Sequence, residues 1–219
     1  MIRAVIFDLD GTLIDSAPDI HAAANLVLDG AGLPRVSFEQ SRSFVGRGAR
    51  VFVERMEQAV TGGNDPALTA HLHARFLHFY ERAHEHTRIY PHVPEMLAEL
   101  RGKGLGLGLC TNKPLRPTQA VLTHLGWDSM FDVVIGGDSL AVAKPDPAPL
   151  LAVVSGLGLT LAEIAYIGDS ETDAETAERA GARFGLYTQG YRKTPVEQMF
   201  HHFRFDDYRQ MTGQLFQPG

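Results

Sequence analysis

The chain has 219 residues, of which 44% are hydrophobic and 21% charged, enough for one large core or two unequal domains. It has no apolar run near the roughly 20 residues of a membrane span and no signal-peptide pattern at its N-terminus. We therefore expect a soluble cytoplasmic protein with no membrane partner. The net charge of −6 offers nucleic acid no overall attraction, so we expect no nucleic-acid partner. The single cysteine, Cys110, lies in an apolar run and is predicted to be buried.

Short apolar runs of strand length recur along the chain, and each is followed by a polar or glycine-containing turn and a helix-length amphipathic segment. The runs are residues 4–7, 105–110, 133–135, 165–167 and 184–187. Strands and helices that alternate in this way predict right-handed βαβ units and a mostly parallel, buried sheet. The predicted fold class is α/β.

One long interval, residues 16–88, interrupts this alternation with helix-like stretches only, at 19–28, 49–60 and 68–84. Ser16 with Pro18 predicts a helix start, and Gly30 a helix end. The interval contains eight arginines, eight acids and no lysine, so the rest of the chain carries the net charge. We predict a core of residues 1–15 and 89–219 with a helical insert of residues 16–88.

Two carboxylates follow the first predicted strand directly. Asp8 and Asp10 are two residues apart in an extended segment, so their side chains point the same way. Ligands of open parallel sheets bind at the carboxyl ends of the strands, and two adjacent carboxylates need a cation. Oxygen-only ligands favour Mg²⁺. Gly11 allows a tight turn with exposed N–H groups, which suits an anion.

Polar side chains also follow the later predicted strands. In chain order they are a hydroxyl, an amide, two cations and two further acids: Thr111, Asn112, Lys113, Lys144, Asp169 and Asp173. Taken singly, each could be a strand-end cap, a helix cap or a solvated lysine. Because the ends of parallel strands lie at one edge of the sheet, the presence of these polar residues after several strands indicates one site.

These segments together resemble the four ordered motifs of the haloacid dehalogenase superfamily. The resemblance rests on residues 7–13, Thr111-Asn112, Lys144-Pro145 and residues 168–173, and it spans nearly the whole chain. It implies a Rossmann-like parallel-sheet core with an inserted helical cap of the C1 type. It also implies a cis Lys144–Pro145 peptide bond.

The resemblance implies a role for each motif. Asp8 would be the nucleophile that becomes phosphorylated, and Asp10 the acid and base. Thr111 and the Asn112 N–H would hold phosphate oxygens, while Lys144 would neutralise charge on the transferred group. Lys113 is a weaker candidate for contact with the substrate.

Mg²⁺ is the cofactor that the resemblance implies. Its ligands would be the Asp8 carboxylate, the backbone carbonyl of Asp10 and Asp169. Asp173 would lie close by, through water or as a support for the ligands.

Within the superfamily, residues 15–19, 44–50 and 135–138 resemble the phosphoglycolate phosphatase branch. Gly46, Arg47 and Gly48 would form a specificity loop, with Arg47 able to bind a substrate carboxylate. His21 in the first insert helix could also approach the substrate. The insert contains six of the ten histidines, but no cysteine accompanies them, so we do not expect a zinc site.

We therefore predict Mg²⁺-dependent hydrolysis of a small phosphate monoester. A dehalogenase typically lacks the second aspartate, and a phosphonoacetaldehyde hydrolase needs a cap lysine that residues 16–88 lack. A β-phosphoglucomutase-like transfer remains open, as do sugar phosphates, N-acetylmuramate 6-phosphate, nucleotides and pyrophosphate as substrates. A non-catalytic binding protein would be expected to show a damaged motif. The partner is a small phosphorylated substrate, and the protein a monomer or homodimer.

Overall fold

The computed structural model describes residues 1–216 of the chain. The strands in this part are β1 (Ala4–Phe7), β2 (Ile14–Asp15), β3 (Arg88–Ile89), β4 (Gly106–Cys110), β5 (Val133–Ile135), β6 (Ile164–Gly168), β7 (Arg183–Tyr187) and β8 (Phe203–Phe205). The α-helices are α1 (Ala17–Gly30), α2 (Phe38–Phe44), α3 (Gly48–Thr61), α4 (Pro66–Tyr80), α5 (Val93–Gly102), α6 (Leu115–His124), α7 (Ala148–Gly156), α8 (Glu171–Ala180) and α9 (Tyr208–Leu215). Among these helices, none is both long and apolar enough to cross a membrane.

The large sheet has six parallel strands in the order β5-β4-β1-β6-β7-β8. The predicted α/β class and its parallel sheet are confirmed, and each predicted strand is present with bounds shifted by at most one residue. Strand β8 was not predicted, because it is a three-residue edge strand among polar neighbours. The position of β1 inside the sheet places the end of that strand, and with it Asp8, between the ends of β4 and β6.

The sheet is covered on both faces because its central strand is apolar at every position. Val5 and Phe7 face one cluster, built with α5, α6 and α9. Ala4 and Ile6 face the other, built with α7 and α8. Strands that are buried on both faces have continuous apolar sequences, which explains why their positions could be predicted from the sequence. Cys110 is fully buried in the second cluster, as predicted.

The four helices α1–α4 lie between β2 and β3 and pack around an apolar cluster of their own. The two short strands pair antiparallel, with Ile14 opposite Ile89 and Asp15 opposite Arg88. The chain therefore leaves the core and returns to it through one two-stranded neck. This neck was not predicted, because two-residue strands have no recognisable apolar pattern.

Two helices differ from the sequence prediction. Helix α4 ends at Tyr80 instead of residue 84, because the chain beyond Tyr80 has no large apolar side chain before Ile89. Helix α2 was missed, although Ser37 and Gln40 form a capping box at its start.

The first insert helix is joined to the returning chain by a buried carboxylate. Asp19 is 3% exposed and accepts hydrogen bonds from the backbone N–H of His86 and from Thr87 Oγ1, the latter at 2.7 Å. Thr87 is also buried. The carboxylate thus satisfies the hydroxyl of a buried threonine and a backbone N–H of the returning chain.

Substitution Asp19→Ala should lower the free energy of unfolding by about 1–3 kcal/mol, because it leaves these donors without an acceptor. Chemical denaturation monitored by circular dichroism measures this loss. The matched control is Asp29→Ala, which removes an exposed carboxylate from the same helix and should leave the midpoint unchanged. An equal effect of the two variants would contradict the assigned role of Asp19.

Candidate active site

Asp8 is a buried carboxylate at the end of β1, with its backbone N–H bonded to Ile167 of β6. Its Oδ1 lies 2.9 Å from Lys144 Nζ as an ion pair. Apart from this ion pair, this buried oxygen has no hydrogen-bond partner within residues 1–216. A buried carboxylate oxygen in this state can accept a further positive ligand.

Lys144 is held by three groups from the core. Its Nζ donates to Asp173 Oδ1 at 2.6 Å and to the Tyr166 hydroxyl at 2.9 Å, besides its ion pair with Asp8. Burial opposes the charge on Lys144, but Asp173 and Asp8 more than offset it and raise the pKa of the ammonium above its usual value. Lys144 is therefore a permanent buried cation.

Both carboxylate oxygens of Asp173 are occupied by donors. Oδ1 accepts from Lys144 and from the Tyr166 hydroxyl, and Oδ2 accepts from Ser170 Oγ at 2.6 Å and, at longer range, from the backbone N–H groups of Ser170 and Asp169. Burial alone would raise the pKa of Asp173, but Lys144 and these bonds lower it below the ordinary value. Asp173 thus fixes Lys144 and the turn after β6.

Asp169 is held in a slot between two glycines. Its Oδ1 accepts from Thr12 Oγ1 at 2.7 Å, and its Oδ2 from the Tyr191 backbone N–H at 2.6 Å. A Cβ on Gly11, whose φ is 90°, would lie 2.5 Å from Asp169 Oδ2, and one on Gly190 would collide with the same carboxylate. Only glycine fits at these two positions while Asp169 stays in place.

Asp8, Asp169 and Asp173 form a cluster in which one ligand atom of each lies within 4.8 Å of the others. Burial, followed by the neighbouring carboxylates, raises the pKa of Asp169 well above its ordinary value. Burial also raises the pKa of Asp8 to about 7, although Lys144 opposes the shift. An oxygen-only donor set with an Asp8 oxygen that accepts no hydrogen bond from the described residues fits a hard divalent cation such as Mg²⁺.

Asp10 lies on the insert side of Asp8 and has partners from both parts of the chain. Its Oδ1 accepts from Ser16 Oγ at 2.5 Å and from Lys113 Nζ at 3.3 Å. Lys113 Nζ in turn donates to the Tyr80 hydroxyl of α4 at 2.8 Å. Burial lowers the pKa of Lys113, although Asp10 partly offsets this effect. Asp10 is therefore surrounded by groups that depend on how the insert lies on the core.

Asn112 connects the second motif to the third and to the insert. Its amide donates to Lys144 O at 2.9 Å and to Gly46 O at 3.1 Å, and its Oδ1 accepts from the Lys144 N–H at 3.0 Å. The Lys144–Pro145 peptide bond is cis, as predicted. Thr111 is buried, and its hydroxyl oxygen accepts from the backbone N–H of Lys113. The Thr111 hydroxyl proton stays available to a ligand.

A cavity of about 40 Å³ lies between the insert and these strand ends. Its polar floor is formed by core residues, and its apolar wall by insert residues such as Ile20, Phe52 and Phe76. Gly46 and Gly48 line it, but Arg47 is exposed and is not among the lining residues. His21 lies against Asn25 and Phe38 and does not line it either.

Three tyrosines contact the site residues without having been predicted. Tyr166 is in β6. A tyrosine in a buried strand needs a partner for its hydroxyl, so its contact with polar site residues could have been predicted from the sequence. Tyr191 follows β7, so the expectation that site residues lie after the carboxyl ends of the strands also indicates this residue. Its hydroxyl accepts from the N–H groups of Ser16 and Ala17 at the start of α1. For Tyr80, at the end of α4, no sequence signal exists.

Acidic and basic side chains from the ends of β1, β4 and β6 and from the loop after β5 thus meet over a parallel sheet beneath a helical insert. This arrangement places the chain among hydrolases of the haloacid dehalogenase type. Residues 2–181 match the haloacid dehalogenase-like hydrolase family, and the chain belongs to that family.

The chain is 42% identical over 208 residues to the phosphoglycolate phosphatase of Cereibacter sphaeroides strain ATCC 17029, with 94% of each chain covered. It is 42% identical over 215 residues to that of Rhodobacter capsulatus, with 97% of this chain and 96% of the relative covered. A crystal structure of a predicted phosphoglycolate phosphatase from Haemophilus somnus 129PT superposes with a TM-score of 0.91 at 31% identity, covering 97% of each chain.

The raised pKa of Asp8 predicts a pH-dependent stability cost in the metal-free protein. Asp8 has a folded pKa of about 7, against an unfolded value near 3.8. The carboxyl is neutral in both states at low pH, so the cost is absent there and grows as the pH rises from about 4 to 7. The isosteric Asp8→Asn variant avoids this cost, and its advantage should reach a few kcal/mol at pH 8.

Unfolding of both proteins in a chelator, at pH 4.5 and pH 8, measures the difference. The Asp8→Asn variant should be more stable at pH 8 and closer to the wild type at pH 4.5. A pH-independent difference would show that burial of the Asp8 charge is not its cause.

Proposed function

We propose that the protein is a Mg²⁺-dependent phosphatase that hydrolyses a small carboxylated phosphate monoester such as phosphoglycolate. The observation that carries the proposal is Oδ1 of buried Asp8, which is ion-paired with the fixed cation of Lys144 and accepts no hydrogen bond within residues 1–216. A carboxylate in this setting is suited to attack an electrophile that carries negative charge of its own. The names of the two phosphatase relatives support the substrate class.

We propose that Asp8, the backbone carbonyl of Asp10 and Asp169 hold Mg²⁺, with Asp173 supporting them from its bonds to Lys144 and Ser170. When bound, the ion would supply positive charge that offsets the repulsion between Asp8 and the phosphate. The glycine slot around Asp169 supports this assignment, because it fixes a carboxylate at the edge of the cluster.

In the proposed reaction, an Asp8 oxygen attacks phosphorus and the bond between phosphorus and the leaving oxygen breaks. Asp10 gives its proton to the leaving alkoxide. A water then attacks the aspartyl-phosphate, Asp10 takes the proton from that water, and the Asp8 carboxylate is restored as phosphate leaves. The contacts of Asp10 with Ser16 and Lys113 hold its carboxyl at the cavity that Asp8 also lines.

The phosphate would lie in a cradle formed by the turn after β1 and the end of β4. The Thr111 hydroxyl and the backbone N–H of Asn112 are the proposed donors, and Lys144 balances the charge of the transferred group. The Gly11 N–H, which the sequence also predicted to face an anion, is instead bonded to Ile14 O at 2.8 Å. Asn112 holds Lys144 through both backbone groups of that residue, so cation and donors keep a fixed geometry.

The insert supports a small leaving group. With the insert in contact with the core, the cavity of about 40 Å³ is bordered by apolar side chains and the loop at Gly46. Such a space suits a two-carbon acid much better than a hexose or a nucleoside. Exclusion of water by the insert would also strengthen the electrostatic interactions within the site.

The proposal is tested by steady-state hydrolysis of phosphoglycolate and p-nitrophenyl phosphate with Mg²⁺. The Asp8→Asn variant should lose turnover and phosphoenzyme formation, because an amide is a poor nucleophile. Turnover of this variant within about tenfold of the wild type would sink the assignment of Asp8.

The Asp10→Asn variant should lose at least about 10²-fold in kcat, because an amide cannot exchange the proton. Its affinity for Mg²⁺ should be largely kept, because the backbone carbonyl of residue 10 is unchanged. A titration of activity against Mg²⁺ separates the two quantities. Weakened metal binding with a normal rate at saturating metal would show that Asp10 has no acid and base role.

A further inference from the structure

Two buried lysines lie at the site, and each is paired with a different aspartate. Lys144 Nζ is 2.9 Å from Asp8, whereas Lys113 Nζ is 3.3 Å from Asp10. The side chains of both lysines are 2% exposed. If Asp8 attacks phosphorus and Asp10 protonates the leaving oxygen, then Lys144 lies on the phosphate side and Lys113 on the leaving-group side.

Lys113 has a hydrogen-bonding capacity that its neighbours do not fill. An ammonium carries three donors, and Lys113 Nζ uses one for the Tyr80 hydroxyl and one for Asp10. Within residues 1–216 it has no third hydrogen bond. The Nζ also lies 4.0 Å from the centroid of the Tyr80 ring, a cation–π contact that fixes it beneath α4.

Among the described residues, Lys113 is the one basic residue that lines the cavity. The opposite wall is formed by apolar side chains, including Ile20, Phe52 and Phe76. A buried ammonium with a free donor beside an apolar wall attracts an anion that is small enough to enter the cavity.

We propose that Lys113, positioned by Tyr80, binds the carboxylate of the leaving group and selects short phosphorylated hydroxy acids. This inference rests on the proposed phosphatase function. According to this inference, the main determinant of carboxylate recognition is Lys113 of the core and not Arg47.

The geometry of a two-carbon substrate fits this position. In such an ester the carboxylate oxygens lie roughly 3 Å from the bridging oxygen, and that oxygen must come within about 3 Å of Asp10 to be protonated. Lys113 Nζ, at 3.3 Å from Asp10, is therefore within reach of the carboxylate. The exposed side chain of Arg47 lies outside the cavity lining.

The test compares kcat/KM for phosphoglycolate and for 2-hydroxyethyl phosphate, which has a neutral hydroxymethyl group in place of the carboxylate. The ratio of the two values should fall by about 10–100-fold in Lys113→Met, the size of one charge-assisted hydrogen bond. Lys113→Arg should restore part of it. Tyr80→Phe keeps the ring but removes the hydroxyl, and should lower the ratio by a smaller factor.

The matched control is Lys103→Met, which removes a half-exposed lysine paired with Glu99 and should leave the ratio unchanged. Equal losses on both esters in Lys113→Met would overturn the inference, because Lys113 would then serve the phosphate or Asp10. A collapse of the ratio in Arg47→Ala, with none in Lys113→Met, would also overturn it.

A binding measurement separates failure of the inference from failure of the proposed function. Calorimetric titration of phosphoglycolate into Asp8→Asn and into Asp8→Asn with Lys113→Met requires no turnover. We expect about 10–100-fold weaker binding in the double variant, with a much smaller effect for 2-hydroxyethyl phosphate. Wild-type protein that hydrolyses neither ester would refute the phosphatase, while this titration still decides the role of Lys113.

Discussion

Burial of several carboxylates in one small volume is the constraint on which the site depends. Asp8, Asp169 and Asp173 lie within 4.8 Å of one another at the inner strands of the sheet, where desolvation and mutual repulsion both oppose ionisation. Among residues 1–216, Lys144 is the fixed positive charge that touches two of them. The surrounding chain is arranged around that lysine: Asn112 holds its backbone, and the Tyr166 hydroxyl and Asp173 Oδ1 hold its ammonium.

The same constraint explains why the insert is more than a cover. Asp10 has one partner at the root of the insert, Ser16, and another, Lys113, that is held by α4 through Tyr80. The backbone N–H groups at the start of α1 donate to the hydroxyl of Tyr191 in the core, which leaves the Ser16 hydroxyl free to reach Asp10. The polar environment of Asp10 is therefore completed only where the two parts of the chain meet.

The sequence predicted those features that depend on local pattern. Apolar runs located five strands of the large sheet, and the polar residues after them included the Asp8, Asp169 and Lys144 side chains that the structure brings together. Features that depend on tertiary contacts were not predicted, because the hydroxyls of Tyr80 and Tyr191 bind residues far away in the chain. The edge strand β8 was not predicted because it is too short to show a pattern. The exposure of individual side chains could not be predicted from the sequence either. The loop at residues 46–48 lines the cavity with its glycines, while its arginine is exposed and is not a lining residue, and no spacing rule distinguishes these outcomes.

The paired strands at the base of the insert have a consequence for how this architecture can diversify. Because Asp15 and Arg88 face each other across one strand spacing, about 4.8 Å, the backbone connects the core to the intervening helices at a single place. Helices of another number or length can be spliced into that point without altering the register of the six-stranded sheet. Changes in the insert can therefore alter which leaving group is accepted, while the strand-end residues of the core that act on the phosphate stay the same.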